Sequence, residues 1–326
     1  MLNLILWAKG RELISETRYR PLEVTNTTRE WHKATAGHVT VVVDGKNHTT
    51  RWDKHTPKRQ PQPTDVIPGV PDWYWRWRCY GDNMNNGTLR LFNSEFESVQ
   101  VVEADGHRAY GSSVEMDLYQ RTVALVKINA VDCYVVDVFR VRGGKVHDYM
   151  LHSCLDRPHG AELSVALDER MDGTLHEYIG ELRSGATDGG WTATIALDDG
   201  SASLKTFVLP QPGTMIIQGM APAMRRQGVA PFIAVRQADG ESVFIAVHHP
   251  YTGRPLVQKV EPVELAPSGT GAVAIRVTLP ERVDTIISTM DDEPRKARQT
   301  ADGKLHMRGR FAHVSAQDDS AGGWAY

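Results

Sequence analysis

The sequence predicts an all-β protein: a large antiparallel β-sandwich, either two stacked sheet layers or a sandwich plus a smaller C-terminal β unit. Three observations predict it. Short runs of alternating or β-branched residues recur along nearly all of the 326-residue chain. Turn signals such as Asp-Gly and Gly-Gly separate those runs. No helix-period stretch longer than about 12 residues stands out.

The opening run, Met1-Leu-Asn-Leu-Ile-Leu-Trp-Ala-Lys-Gly10, reads as a strand. Leu2, Leu4 and Leu6 share one face and Asn3, Ile5 and Trp7 the other, so the strand is expected to be mostly buried, with its turn at Lys9-Gly10. It lacks the basic start and long apolar region of a signal peptide. A short strand and bend follow over residues 12–19. Val39, Val41 and Val43 then face one way and Thr40 and Val42 the other. His38 stands at the mouth of this strand and Asp44-Gly45 at its end, a pair that tolerates positive φ and predicts a hairpin. From residue type alone, His38 is a hydrogen-bonded strand-end side chain.

Residues 57–71 hold Pro57, Pro61, Pro63, Pro68 and Pro71 and read as loop. Next comes Asp72-Trp-Tyr-Trp-Arg-Trp-Arg-Cys79. If extended, it lines Trp73, Trp75 and Trp77 along one face, with Arg76 and Arg78 on the other. Two readings stand: aromatic rings stacked on sugars with arginines clamping anionic groups, or an inward tryptophan face sealing a sandwich. Strands are expected again near residues 87–92, 98–103 and 115–126. Gly143-Gly144 predicts a tight hairpin. In its register Arg142 pairs with Lys145, Arg140 opposes His147, Val138 opposes Tyr149 and Val136 opposes Leu151, with Asp137 near enough to orient His152. Residues 168–192 read as glycine- and acid-rich turns, and strands resume from Thr192 to about residue 315.

Composition narrows the functional classes. The formal net charge of −3 argues against a general nucleic-acid binder. Cys79, Cys133 and Cys154 are odd in number and widely spaced, so they form neither a zinc motif nor a disulfide framework. No apolar run approaches the roughly 20 residues of a membrane-spanning helix. P-loop, G-x-S-x-G and dinucleotide fingerprints are missing from the sequence.

Several of these stretches, in order, resemble the heparinase II/III-type polysaccharide lyases. Trp31-His-Lys-Ala-Thr-Ala-Gly-His38 with Val-Thr-Val-Val-Val-Asp-Gly45 is similar to that family's "W…T…HNTVVVDG", with Val39 where the family usually has Asn. Residues 12–19 resemble "LIPDTGY", with Glu16 nearest its Asp and Arg18 replacing its Gly. The strands at 98–126, the segment 137–152 ("DxFRVxGGxxHDYxLH") and residues 242–255 follow in family order, with His249 replacing the usual acid. The resemblance implies the C-terminal β-sandwich of such a lyase, with residues 1–160 its first part and 161–326 its continuation.

It also implies function. The family cleaves uronic-acid polysaccharides by β-elimination and is typically periplasmic or secreted. His38 and Glu16 become candidate ligands of a structural zinc, against an alternative in which Glu16 is a surface acid paired with Arg18 or Arg20. Trp73, Trp75, Trp77, Arg76 and Arg78 become candidate binders of an acidic polysaccharide. The family's catalytic groups come from an α/α toroid and from a histidine in an "HxD" motif, which would lie just before Met1. The expectation is therefore a C-terminal part of a longer enzyme, or a gene whose start is called late, with no catalytic residue assigned and an α/α partner upstream or in trans. A non-catalytic carbohydrate-binding or structural module is the alternative. A bare apolar face is expected to favour self-association.

Overall fold

The computed structural model describes residues 2–17, 30–48, 87–168, 170–171, 174–223, 226–269, 271–290, 297–317 and 320–325. It is an all-β sandwich of antiparallel sheets, as the sequence predicts. The largest sheet has eight strands in the order β4-β5-β6-β7-β15-β12-β11-β9. These are β4 (Thr88–Asn93), β5 (Val99–Asp105), β6 (Leu118–Lys127), β7 (Cys133–Arg142), β15 (Glu241–Tyr251), β12 (Ser203–Val208), β11 (Trp191–Leu197) and β9 (His159–Leu163). A five-stranded sheet packs on one of its faces, in the order β10-β13-β14-β8-β3. It comprises β10 (Gly180–Thr187), β13 (Thr214–Pro222), β14 (Val229–Gln237), β8 (His147–His152) and β3 (Val41–Val43).

A second five-stranded sheet packs on the opposite face, in the order β16-β18-β19-β22-β23. Its strands are β16 (Lys259–Pro262), β18 (Val273–Thr278), β19 (Val283–Ser288), β22 (Phe311–Gln317) and β23 (Ser320–Ala325). Two small ribbons complete the structure: β1 (Leu6–Ala8) with β2 (Arg11–Ile14), and β17 (Leu265–Ala266), β20 (Ala297–Thr300) and β21 (His306–Arg308).

Two apolar layers result. Val39, Val41, Val43, Tyr149, Leu151, Ile233 and Val235 meet Tyr119, Val135, Phe139, Val141, Phe244 and Ala246 in the first. Tyr134, Val136, Val138, Val126 and Val247 meet Ile275, Val277, Ile286 and Phe311 in the second. Strand β7 supplies both, odd residues to one and even residues to the other, because side chains alternate across a strand. Each Val or Leu so enclosed contributes about 1.5–3 kcal/mol relative to exposure.

The period-2 reading holds for the valines: Val39, Val41 and Val43 enter the first layer, while Val42 packs on the outer face of its sheet beside Trp31, Met150 and Phe232. Thr40, expected on the Val42 face, lies before β3, and its Oγ1 is 3.0 Å from the Tyr119 hydroxyl of the first layer. The Asp44-Gly45 turn also forms, with φ of +52° and +65°. The hairpin beyond it shrinks to one bridge between Val43 and Lys46.

The expected Gly143-Gly144 hairpin does not form. Strand β7 pairs with β6 and β15, whereas β8 pairs with β14 and β3 in the other sheet. The two glycines, at φ +119° and +76°, carry the chain between layers. The amides of Lys145 and Val146, which a hairpin would have occupied, donate to the Asp44 carboxylate at 2.8 and 2.9 Å. Arg140 therefore does not oppose His147, and Asp137 does not orient His152. Both strands are buried on both faces, so each finds its partners in a different sheet.

Residues 168–192 also differ from expectation. Strand β10 lies there as the exposed edge of the first five-stranded sheet, too polar to show an apolar alternation. The opening strand is buried on one face only. Leu4 and Leu6 enter the core, while Ile5 is 52% and Trp7 69% exposed.

Candidate functional site

The residues singled out as metal-ligand candidates meet at the end of β2 and the start of β3. The chain leaves β2 through Ser15, Glu16 and Thr17. Ser153 donates from Oγ to the Leu13 carbonyl at 2.7 Å, and the Leu155 amide donates to Ser15 Oγ at 3.1 Å. These bonds fix the bend that presents Glu16. A single turn of 3-10 helix, Thr35–Gly37, ends at His38, whose backbone amide donates to the Thr35 carbonyl. His38 Nδ1 lies 2.7 Å from Glu16 Oε1. It has no aligned hydrogen bond among the described residues.

Glu16 is further held by Thr17 Oγ1, which donates to Oε1 at 3.1 Å, and by the Asn3 side-chain amide, which donates to Oε2. Asn3 Oδ1 accepts the Val39 amide at 2.8 Å. Asn3 thus joins the opening strand, the Glu16 bend and β3. Burial alone would raise the Glu16 carboxyl, but the His38 side chain outweighs it, and the group sits below its ordinary value. The Arg18 or Arg20 partner considered for Glu16 lies outside the described residues, as do Trp73, Trp75, Trp77, Arg76, Arg78 and Cys79.

His152 belongs to the same neighbourhood. It is buried at the end of β8 with its ring 4.6 Å from that of Phe232. Its Nδ1 lies 3.1 Å from the Ser153 carbonyl, and its Nε2 has no hydrogen-bond partner among the described residues. Burial pushes its pKa down to about 4, with the charges of His38 and Glu16 acting on it in opposite senses. Sequence reasoning did not connect Asn3 or His152 to this site. Asn3 had a visible signal: a lone amide in the apolar run Leu2-Asn-Leu-Ile-Leu6.

Glu16 and His38 offer one oxygen and one nitrogen donor, a set zinc accepts, but a structural zinc takes four ligands. Among the described residues no group of three or more His, Cys, Asp and Glu side chains is placed to hold a metal ion. The pair therefore fits half of a zinc set and does not complete one. Nor do the buried tyrosines form a catalytic centre. Tyr110, Tyr119, Tyr134 and Tyr149 are enclosed, and burial raises the pKa of each hydroxyl. Tyr134 donates to Asp284 at 2.8 Å and Tyr149 to Asp137 at 2.5 Å. His249 is likewise structural: Nδ1 lies 3.0 Å from the Cys133 carbonyl, and Nε2 accepts the Leu256 amide at 2.9 Å.

The sheets and the acid–histidine contact at the β2–β3 junction define an antiparallel β-sandwich domain. The family model described as heparinase II/III-like, C-terminal, matches residues 1–246, and the chain belongs to that family. No curated protein sequence matches it. Among solved structures, it is similar to heparan sulfate lyase HepC from Pedobacter heparinus, with a TM-score of 0.55, 12% identity, and coverage of 89% of this chain and 37% of that one. It is also similar to heparinase III, with a TM-score of 0.46, 12% identity, and coverage of 85% and 33%. The chain thus spans about a third of each of these structures.

Proposed function

We propose that this chain is the β-sandwich portion of a lyase that cleaves uronic-acid polysaccharides by β-elimination, acting together with an α/α domain upstream or in trans. In that reaction a base removes the proton at C5 of the uronate, an acid protonates the departing oxygen at C4, and the carboxylate is neutralised so that negative charge is stabilised at the carbon. The observation that carries the reading is the family match over residues 1–246. The buried state of Tyr110, Tyr119, Tyr134 and Tyr149 supports assigning the base and acid to the partner domain rather than to these residues.

The surface supports a partner as well. Ile5, Trp7, Leu89, Phe92 and Val131 are exposed apolar side chains on or beside β1, β4 and the β6–β7 turn. Lys9 brings two of these regions together, since its Nζ donates to the Val131 carbonyl at 2.9 Å. These side chains supply apolar contact area for a partner. It suits either the α/α domain or a second copy of the chain. Glu16 and His38 are the two ligands this chain would contribute to a structural zinc, whose chemistry would be to cross-link the β2–β3 junction.

The test is incubation of the chain with heparan sulfate, alginate, hyaluronan and ulvan, with and without zinc, following the ultraviolet absorbance of unsaturated uronate. The isolated chain is expected to be silent and to gain activity when joined to an α/α lyase domain. Activity of the chain alone would overturn the division of labour. The second reading, a non-catalytic carbohydrate-binding module, is favoured by the buried tyrosines and requires silence even in the joined protein.

A further inference from the structure

A groove of about 590 Å³ opens beside the edge strand β10, lined by Arg170, Met171 and residues 179–183. That volume is in the range of small-molecule sites. Three features show how it is built. The β10–β13 register slips between Gly180 and Arg183, so that Glu181 and Leu182 stand opposite Gly219 alone. Glu181 adopts φ +54°, a left-handed conformation that a side chain with a Cβ resists. The bulge can press inward because Gly219 has no Cβ: one there would lie 2.5 Å from Ile179 Cγ2 and 2.7 Å from Leu182 Cδ2. Outside the bulge, the amides of Asp168 and Met171 donate to the carbonyls of Ser184 and Leu182 at 2.7 and 2.9 Å, and Arg170 and Met171 form the far wall.

The lining has two characters. Ile179 and Leu182 are buried and Met171 half-buried, giving an apolar floor, while Arg170, Glu181 and Arg183 are exposed. Among the described residues Arg183 donates only to the neutral carbonyls of Asp168 and Leu167, at 3.4 and 3.3 Å. Arg170 has no hydrogen-bond or ion-pair partner among the described residues. Among the described lining residues two guanidiniums stand beside one carboxylate. Bulges and strained backbone of this kind gather where a side chain must be aimed at a ligand.

We infer that this groove binds an acidic oligosaccharide, with Arg170 and Arg183 holding its anionic groups, Glu181 accepting from its hydroxyls, and the apolar floor carrying a C–H face of the sugar ring. A guanidinium suits a carboxylate or sulfate because its planar fork donates in parallel. The inference rests on the uronan reading for the class of ligand and adds a place on this chain where that ligand sits, away from the Glu16–His38 pair.

The experiment measures binding of the full chain by calorimetry to alginate oligosaccharides, which carry carboxylates only, to heparan sulfate oligosaccharides, which also carry sulfates, and to neutral dextran. Binding to acidic but not neutral saccharides is expected, weakened about tenfold or more in Arg170→Ala/Arg183→Ala, a loss near 1.4 kcal/mol. Binding to alginate assigns carboxylate recognition, and binding confined to heparan sulfate assigns sulfate. Because Arg183 also tethers the wall segment, Arg170→Glu alone is measured with it. Arg170 is exposed, so that variant should melt like the parent and still lose affinity. Unchanged affinity in a folded variant, equal binding to dextran, or no binding to either acidic saccharide overturns the groove assignment. The uronan reading fails separately, by absence of elimination activity in the chain joined to its α/α domain.

Discussion

Arg121 and Asp137 face each other across β6 and β7 in two parallel bonds, Nε to Oδ1 at 2.8 Å and Nη2 to Oδ2 at 2.5 Å, and both are fully enclosed in the first layer. Burial would raise the Asp137 carboxyl, but the Arg121 guanidinium overrides it and holds the group far below the ordinary carboxylate range. Tyr149 also donates to Asp137, and Arg121 Nη1 reaches the carbonyls of Leu2 and Val39, at 2.5 and 2.6 Å. The pair therefore ties the two sheets and the opening strand together. Arg121→Met should cost about 3–5 kcal/mol, because it strands a buried charge. Arg121→Met/Asp137→Leu should cost less than either single change. Urea titration of the four proteins checks this, and a double variant as unstable as the sum of the singles would contradict it.

The Glu16–His38 contact has a pH signature. The folded-state carboxyl of Glu16 lies below its usual value of 4.5. Its contribution is fully present above that value and is lost as pH falls through the lower folded one. Glu16→Gln should therefore lower stability at neutral pH and flatten the acid limb of the stability curve below about pH 4.5. The Val39 amide, which Asn3 accepts, should exchange faster in Asn3→Ala even at neutral pH. Thermal melts between pH 3 and 7 and amide exchange measure the two effects independently.

His152 acts in a higher window. Its folded pKa of about 4 lies below the usual 6.5, so the unfolded chain takes up the proton first as pH falls. Stability is unaffected above pH 6.5 and declines between about 6.5 and 4, by about 3 kcal/mol in all. His152→Gln should remove that decline while costing stability at pH 7 through lost packing on Phe232. An identical pH slope in the variant would place the acid sensitivity on the other buried histidines.

Much of this architecture was legible because burial follows alternation. Val39, Val41 and Val43 point into one core and Val42 out of it, as their spacing alone requires. The meeting of Glu16 and His38 was legible only through resemblance, since the two are distant in sequence and neither sits in a spacing motif. Strand β10 was not legible, because an exposed edge strand has no apolar period. The segment around Gly143 and Gly144 misled for a physical reason. Paired glycines permit left-handed backbone, which serves a hairpin and a crossing between sheets equally well. Local sequence does not encode which sheet the next strand joins; that follows from both faces of β7 and β8 having to be covered.

That crossing yields the sharpest prediction. Gly143 has φ +119°, and a Cβ there would lie 2.3 Å from the Glu115 carbonyl oxygen and 2.9 Å from Met116 Cα, both backbone atoms with no flexible side chain to yield. At Gly144, with φ +76°, a Cβ would meet the methyl Val43 Cγ1 at 2.4 Å and Asp44 Oδ2 at 3.0 Å. Gly143 cannot move away without breaking the hydrogen bond its amide donates to the Gly240 carbonyl, 3.0 Å long. Gly143→Ala should thus cost more than Gly144→Ala, which itself carries the left-handed penalty of about 1–2 kcal/mol. Comparing the two alanine variants by chemical denaturation checks this: Gly143→Ala is expected to be the less stable, and equal costs would contradict the close approach of Glu115 and Met116 to Gly143.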